Sequence, residues 1–209
     1  MPREFHKPTR FEGHRFDAYL GGEDPARIRA VAHETARALL DRGHEAGADE
    51  AVDRMLAFAD EQGIDAIAEL WATAAEDSLP GALWRLYLLR ALIRQDAPAS
   101  ANAFRRGVET LVTADEAIAG APRSAGPDEI VELADRILRG AFTGDLADAL
   151  ERAAACCRIL AAGSVIEADA SDVGDPARAT ALTTRAARLS SMAVELRHCA
   201  HQERSASLD

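Results

Sequence analysis

Residues Leu79-Pro80-Gly81-Ala82-Leu83-Trp84-Arg85-Leu86-Tyr87-Leu88-Leu89-Arg90-Ala91-Leu92-Ile93-Arg94 decide the fold, because they are apolar on nearly every side of a helix. Such a helix has to be buried. Pro80 fits a first turn, where its missing N–H costs nothing, and Ala97-Pro98 ends the segment, so the spacing predicts one helix over 80–95. It is too short for a bilayer and is interrupted by Arg85, Arg90 and Arg94. It is therefore expected to be the buried central helix of a soluble domain, with its arginines leaving at the ends or meeting carboxylates.

The surrounding chain agrees with a helical domain. Of its 209 residues 48% are hydrophobic and only 5% aromatic, and the apolar content is mostly Ala and Leu, the strongest helix formers. No run of alternating β-branched or aromatic residues marks a strand. The fold class expected is all-α: about eight helices in one orthogonal or antiparallel bundle around the central helix, with an extended N-terminal arm and a long C-terminal helical hairpin.

Charge narrows the partners. A net charge of -11 argues against a broad contact with nucleic acid or with an anionic membrane face. The exception is the arm over residues 1–22, where Lys7, Arg10 and Arg15 alternate with Phe5, Phe11, Phe16 and Tyr19 between Pro2, Pro8, Gly13, Gly21 and Gly22. Such an arm can lie on an outside partner or strap across the chain's own helices, and the second is expected. Cys156, Cys157 and Cys199 are odd in number and include an adjacent pair, which suits reduced thiols in a cytoplasm. No apolar leader follows Met1 and no window of about 18 apolar residues occurs, so neither secretion nor membrane insertion is expected.

Single-domain organisation over 23–204 follows from capping signals and periodicity. Asp24-Pro25 opens a helix that carries Ile28, Val31, Thr35 and Leu39 to Gly43. Further helices are expected from Asp49 to Gly63 and from Asp65 through Trp71 to Asp77. A fifth follows Pro98, with Phe104, Val108, Leu111, Val112 and Ile118 on one face, and a sixth runs from Asp128 to about Arg139, ended by Gly140. Residues 120–127, rich in Gly and Pro, are the expected hinge. Leu146, Leu150, Ala153, Cys157, Leu160 and Ser164 form one seam, and Leu182, Arg185, Leu189, Met192, Leu196 and Cys199 another. These are the two arms of a hairpin that turns near Ala170–Gly174, and residues 205–209 should be a disordered tail.

Catalytic and cofactor signatures do not emerge. Glu195-Leu196-Arg197-His198 is a single Glu-x-x-His where a di-iron bundle needs two, and His198 and His201 fall off the apolar seam. No Cys-x-x-Cys, Walker loop or nucleophile elbow occurs. Catalytic residues, metal ligands and cofactors are therefore assigned to none. The residues that break the apolar pattern are arginines. Arg85 and Arg90 on the central helix and Arg178 and Arg185 on the last one are expected to be paired, Arg178 with Glu167, or else to touch a ligand or partner. Lys7, Arg10 and Arg15 are the candidate contacts of the arm.

Ala-Glu-Leu-Trp followed by Leu-Pro-Gly-Ala-Leu-Trp-Arg-Leu-Tyr-Leu-Leu-Arg, within residues 64–95, resembles a family of small, uncharacterised all-α proteins of actinobacteria, some of which bear the automatic label of an RNA polymerase β subunit. The resemblance implies a helical fold and carries over no functional residues. The expected role is a non-enzymatic protein-interaction or scaffold module. Its partner is a protein, including a second copy through the Ala-rich face of the last hairpin (Ala149, Ala153, Ala154, Ala179, Ala186, Ala193). A bundle that binds a small ligand, or a transcription-associated factor that docks through the arm, are the alternatives.

Overall fold

The computed structural model describes residues 24–44, 50, 71–111, 115–120 and 124–208. Among them the chain forms seven α-helices and no strand: α1 (Pro25–Gly43), α2 (Leu79–Gln95), α3 (Ala97–Thr110), α4 (Asp115–Ala119), α5 (Pro127–Thr143), α6 (Leu146–Ser171) and α7 (Pro176–Arg204). The all-α class is as read from composition and periodicity. The N-terminal arm, with Lys7, Arg10 and Arg15, and the helix expected over 49–63 lie outside the described residues, as does most of the one expected over 65–77.

Side chains set the helix starts. The Asp24 and Asp175 carboxylates accept from the Ala26 and Arg178 amides, each at 3.0 Å, and a proline follows each cap. Ser78 Oγ accepts from Gly81 N at 3.2 Å to start α2, and the Asp96 carboxylate accepts from Ala99 N at 3.0 Å to start α3. Asp96 is thus the sole residue between the two helices.

Among the described residues α6 packs against α2, α3, α4, α5 and α7, and α2 packs against α1, α3, α5, α6 and α7. Residues 80–95 lie within the largely buried α2. Twenty-six residues long, α6 is buried on almost every side, and Ala149, Ala153, Ala154, Ala155, Cys156 and Cys157 are at most 3% exposed. Alanine allows this, because a narrow helix lets neighbours approach from all directions. Large core side chains come from α6 itself, as Leu150, Ile159 and Leu160, and from its neighbours: Phe104 from α3, Phe142 from α5, and Leu83, Leu86 and Tyr87 from α2.

The closest approach is between α3 and α6. A Cβ on Gly163 would fall inside the Ala103 carbonyl, and one on Gly107 inside the Ile159 carbonyl. Residue 103 meets 163 while 107 meets 159, so the helices run antiparallel with one glycine in each facing pair. Gly43 sits in the same way against the Phe142 carbonyl.

Several boundaries differ from the expected ones. The helix expected to end at Asp77 gives way to turns right after Trp71. The fifth helix stops at Thr110 instead of reaching Ile118, which belongs to the separate α4. The sixth passes through Gly140 to Thr143, since burying Ala141 and Phe142 outweighs the roughly 1 kcal/mol that a mid-helix glycine costs. At the described ends of the expected hinge, Gly120 adopts φ 78°, and Ala125 is buried with its carbonyl accepting from Arg105 at 3.1 Å. The expected disordered tail is instead a turn over residues 205–208, where Ser207 N donates to the Gln202 carbonyl at 2.9 Å and Leu208 enters the core.

The two tryptophans also exchange roles. Trp71 is 1% exposed, its indole N–H donates to Thr35 Oγ1 at 3.4 Å, and its ring lies 6.2 Å from that of Tyr87. Trp84, on the helix expected to be buried on nearly every side, is only half-buried. Trp71→Ala is therefore expected to destabilise by about 3–5 kcal/mol and Trp84→Ala by distinctly less, as read by urea denaturation.

A pair of glycine substitutions isolates the α3–α6 contact. Both put alanine inside a helix, which alone stabilises by roughly 0.5–1 kcal/mol. Gly140, whose Cβ would meet nothing within 4 Å, should show that gain. Gly163→Ala should instead lose about 1–3 kcal/mol to the backbone clash, so the two melting temperatures should move in opposite directions.

Candidate functional site

The arginines singled out by the sequence divide into four situations. Arg85, 8% exposed, pairs through Nε with Glu195 Oε2 of α7, donates from Nη1 to the Gly81 carbonyl at 2.9 Å, and has Glu76 Oε1 at 3.9 Å. Arg90, 7% exposed, donates from Nε to Asp135 Oδ1 at 2.6 Å, and Arg94 reaches the other oxygen of that carboxylate at 3.3 Å. These two ion pairs fasten α2 to α7 and to α5, as a buried guanidinium requires.

Arg185 is half-buried, and its Nη2 donates to the Ser100 hydroxyl at 2.9 Å while its Nε is buried without a partner. Burial lowers its pKa, against which Asp96 and Glu167 act. Arg178 is exposed, which corrects its expected pairing with Glu167. Glu167 instead accepts from Asn102 Nδ2 at 2.6 Å, because the crossing of α3 over α6 brings Asn102 closer than α7 does. Pattern reading missed one further buried pair: Arg158 of α6 grips Asp115 of α4, with Nη2 2.5 Å and Nε 3.0 Å from Oδ1. That hydrogen bonding raises the Arg158 pKa, against burial.

Above the Arg85–Glu195 pair an open groove of about 420 Å³ lies between α2 and α7. Trp84 and Leu88 form one wall and Ser191 and Met192 the other, and Ala72, Ala74 and Glu76 of the preceding turns also line it. A second hollow of about 440 Å³, lined by Glu76, Asp77, Val194, Glu195 and His198, shares Glu76 and Glu195 with it. Trp84, Leu88 and Leu92, each half-buried, recur every four residues and so form one stripe along α2. A signal for this face was present in the sequence: a helix apolar on all sides has more apolar surface than one core contact can cover.

A third hollow, of about 470 Å³, runs along α6 and α7. Val165 and Val194, 46% and 62% exposed, flank it, and Arg158, Asp115 and Arg197 supply its polar atoms.

The groove has shape and apolar surface. Glu195 and Arg85 are spent on each other, which makes them a strut between helices. The lone Glu-x-x-His resolves in the same way, since Glu195 is bound by Arg85 while His198 and His201 are exposed. Among the described residues no three His, Cys, Asp or Glu side chains gather as a metal-binding group.

The thiols are equally confined. Cys156, Cys157 and Cys199 are buried and free, and Cys199 Sγ donates to the Glu76 carbonyl at 3.4 Å. Burial pushes Cys156 up from 9.0 to about 12 and Cys199 to about 11, and raises Cys157 as well. Folded thiols thus keep protons that unfolded ones release above about pH 9. Stability is fully present below that pH and falls as pH rises toward 11, by up to about 1.4 kcal/mol per pH unit for each thiol. With Lys7 the only lysine, few other groups titrate in that window. The urea midpoint is expected to drop clearly between pH 8 and pH 10, and a thiol-specific chromophore to react at neutral pH only after unfolding.

Comparison of the chain with protein-family models, with curated proteins and with solved structures found no match in any of the three.

Proposed function

We propose that the protein is a non-enzymatic, cytoplasmic helical interaction module that receives a protein partner in the groove between α2 and α7. The observation that carries this reading is the half-buried stripe of Trp84, Leu88 and Met192 set over an internal ion pair. Tryptophan, methionine and arginine are the residue types enriched where proteins meet, and a helix-lined trough suits an amphipathic helix. The buried free thiols support the cytoplasmic location. Kinship with the small helical actinobacterial proteins is proposed from residues 64–95 alone.

Self-association through the Ala-rich hairpin face has less support. Ala149, Ala153, Ala154, Ala179, Ala186 and Ala193 are each at most 6% exposed within one chain. A small apolar ligand is the second reading, favoured by the hollow along α6 and α7, whose volume is that of ordinary ligand sites.

Affinity capture from native lysate tests the docking reading when the full chain is compared with two aspartate variants. Leu88→Asp charges the groove, and Val173→Asp charges a residue 98% exposed on the turn between α6 and α7. Proteins captured by the wild type should be lost with Leu88→Asp and kept with Val173→Asp. Capture unchanged by Leu88→Asp would overturn the assignment.

A further inference from the structure

The α2–α7 groove is electrically polarised along its length. Arg188 stands on its rim near one end, and Glu76, Asp77 and Glu195 collect at the other. From Arg188 to His198 along α7 is about 15 Å, at about 1.5 Å per residue. Arg85 is buried and turned inward onto Glu195, which leaves that carboxylate neutralised. Glu76 lies 3.9 Å from the same guanidinium, with its side chain 75% exposed, and Asp77 is exposed beside it. Two carboxylates therefore face solvent at the Glu195 end of the trough, opposite a single exposed arginine.

We infer that the partner is an amphipathic helix of about ten residues or more, with apolar residues at i, i+3, i+4 and i+7 over Trp84, Leu88 and Met192 and with lysines or arginines at the end that lies over Glu76 and Asp77. The inference rests on the docking reading above and adds the chemistry and direction of the occupant. Charge complementarity selects it: a basic end meets Glu76 and Asp77, and an acidic end would meet like charge there, so the same apolar stripe is accepted in one direction and refused in the other. The apolar anchors supply the burial, and the charges set the orientation.

Two synthetic 18-residue helical peptides test this, alike in a leucine stripe at i, i+3, i+4 and i+7. One ends in three lysines and the other in three glutamates. Binding of each fluorescein-labelled peptide to the full chain is read by anisotropy, with the Glu76→Lys/Asp77→Lys double variant and Leu88→Asp alongside. The lysine-ended peptide is expected to bind at least tenfold more tightly than its twin, with the preference lost or inverted in the double variant. Equal binding of both peptides, abolished by Leu88→Asp, would leave the docking reading standing and overturn the basic partner. A lysine preference that survives the double variant would reflect only attraction to a chain of net charge -11, and overturns it too. Binding of neither peptide would overturn both readings.

Discussion

The antiparallel contact of α3 with α6, made through Gly107 and Gly163, is the constraint from which the rest of the packing follows. Each glycine seats a carbonyl of the facing helix where a side chain would otherwise stand. At that separation backbones touch, and the dispersion contacts gathered per residue are dense. Small residues, alanine and cysteine, line much of α6 beside its own buried Leu146, Leu150, Ile159 and Leu160, and its neighbours supply Phe104, Phe142 and the leucines of α2. The two adjacent cysteines belong to this scheme as small buried residues, and the pKa values raised by their burial are a consequence of where α6 lies.

Much of the helical organisation was legible in the sequence, because caps and periodicity are local. The Asp-Pro starts of α1 and α7, the turn between α6 and α7 and the long C-terminal hairpin follow from residues within a few positions of each other. What was not legible depends on partners far along the chain. Gly140 reads as a terminator, yet the helix continues because Phe142 two residues later finds a buried site. Glu167 was assigned to Arg178 from the hairpin register alone, and the third helix, which brings Asn102, carries no trace in that register.

Arginine does most of the electrostatic joining in a chain with one lysine. Arg85, Arg90 and Arg158 each tie one helix to a carboxylate on another, which fixes relative orientation even where the net stabilisation of a buried pair is small. Arg185 departs from this set. Its partner is the neutral hydroxyl of Ser100, and Asp96 and Glu167 act on it through space only, so its guanidinium is the least compensated of the partly buried charges named here.

These struts also explain why the α2–α7 groove keeps its shape. Arg85 of α2 joins Glu195 of α7, so the two walls of the groove are tied together beneath Trp84 and Leu88. An ion pair thus underlies the apolar wall of Trp84 and Leu88. A protein with 5% aromatic residues sets one of its two tryptophans, only partly buried, above this strut. Bringing a second apolar face onto that wall covers the surface without breaking the ion pair underneath, and an amphipathic helix does so while its polar side stays in water.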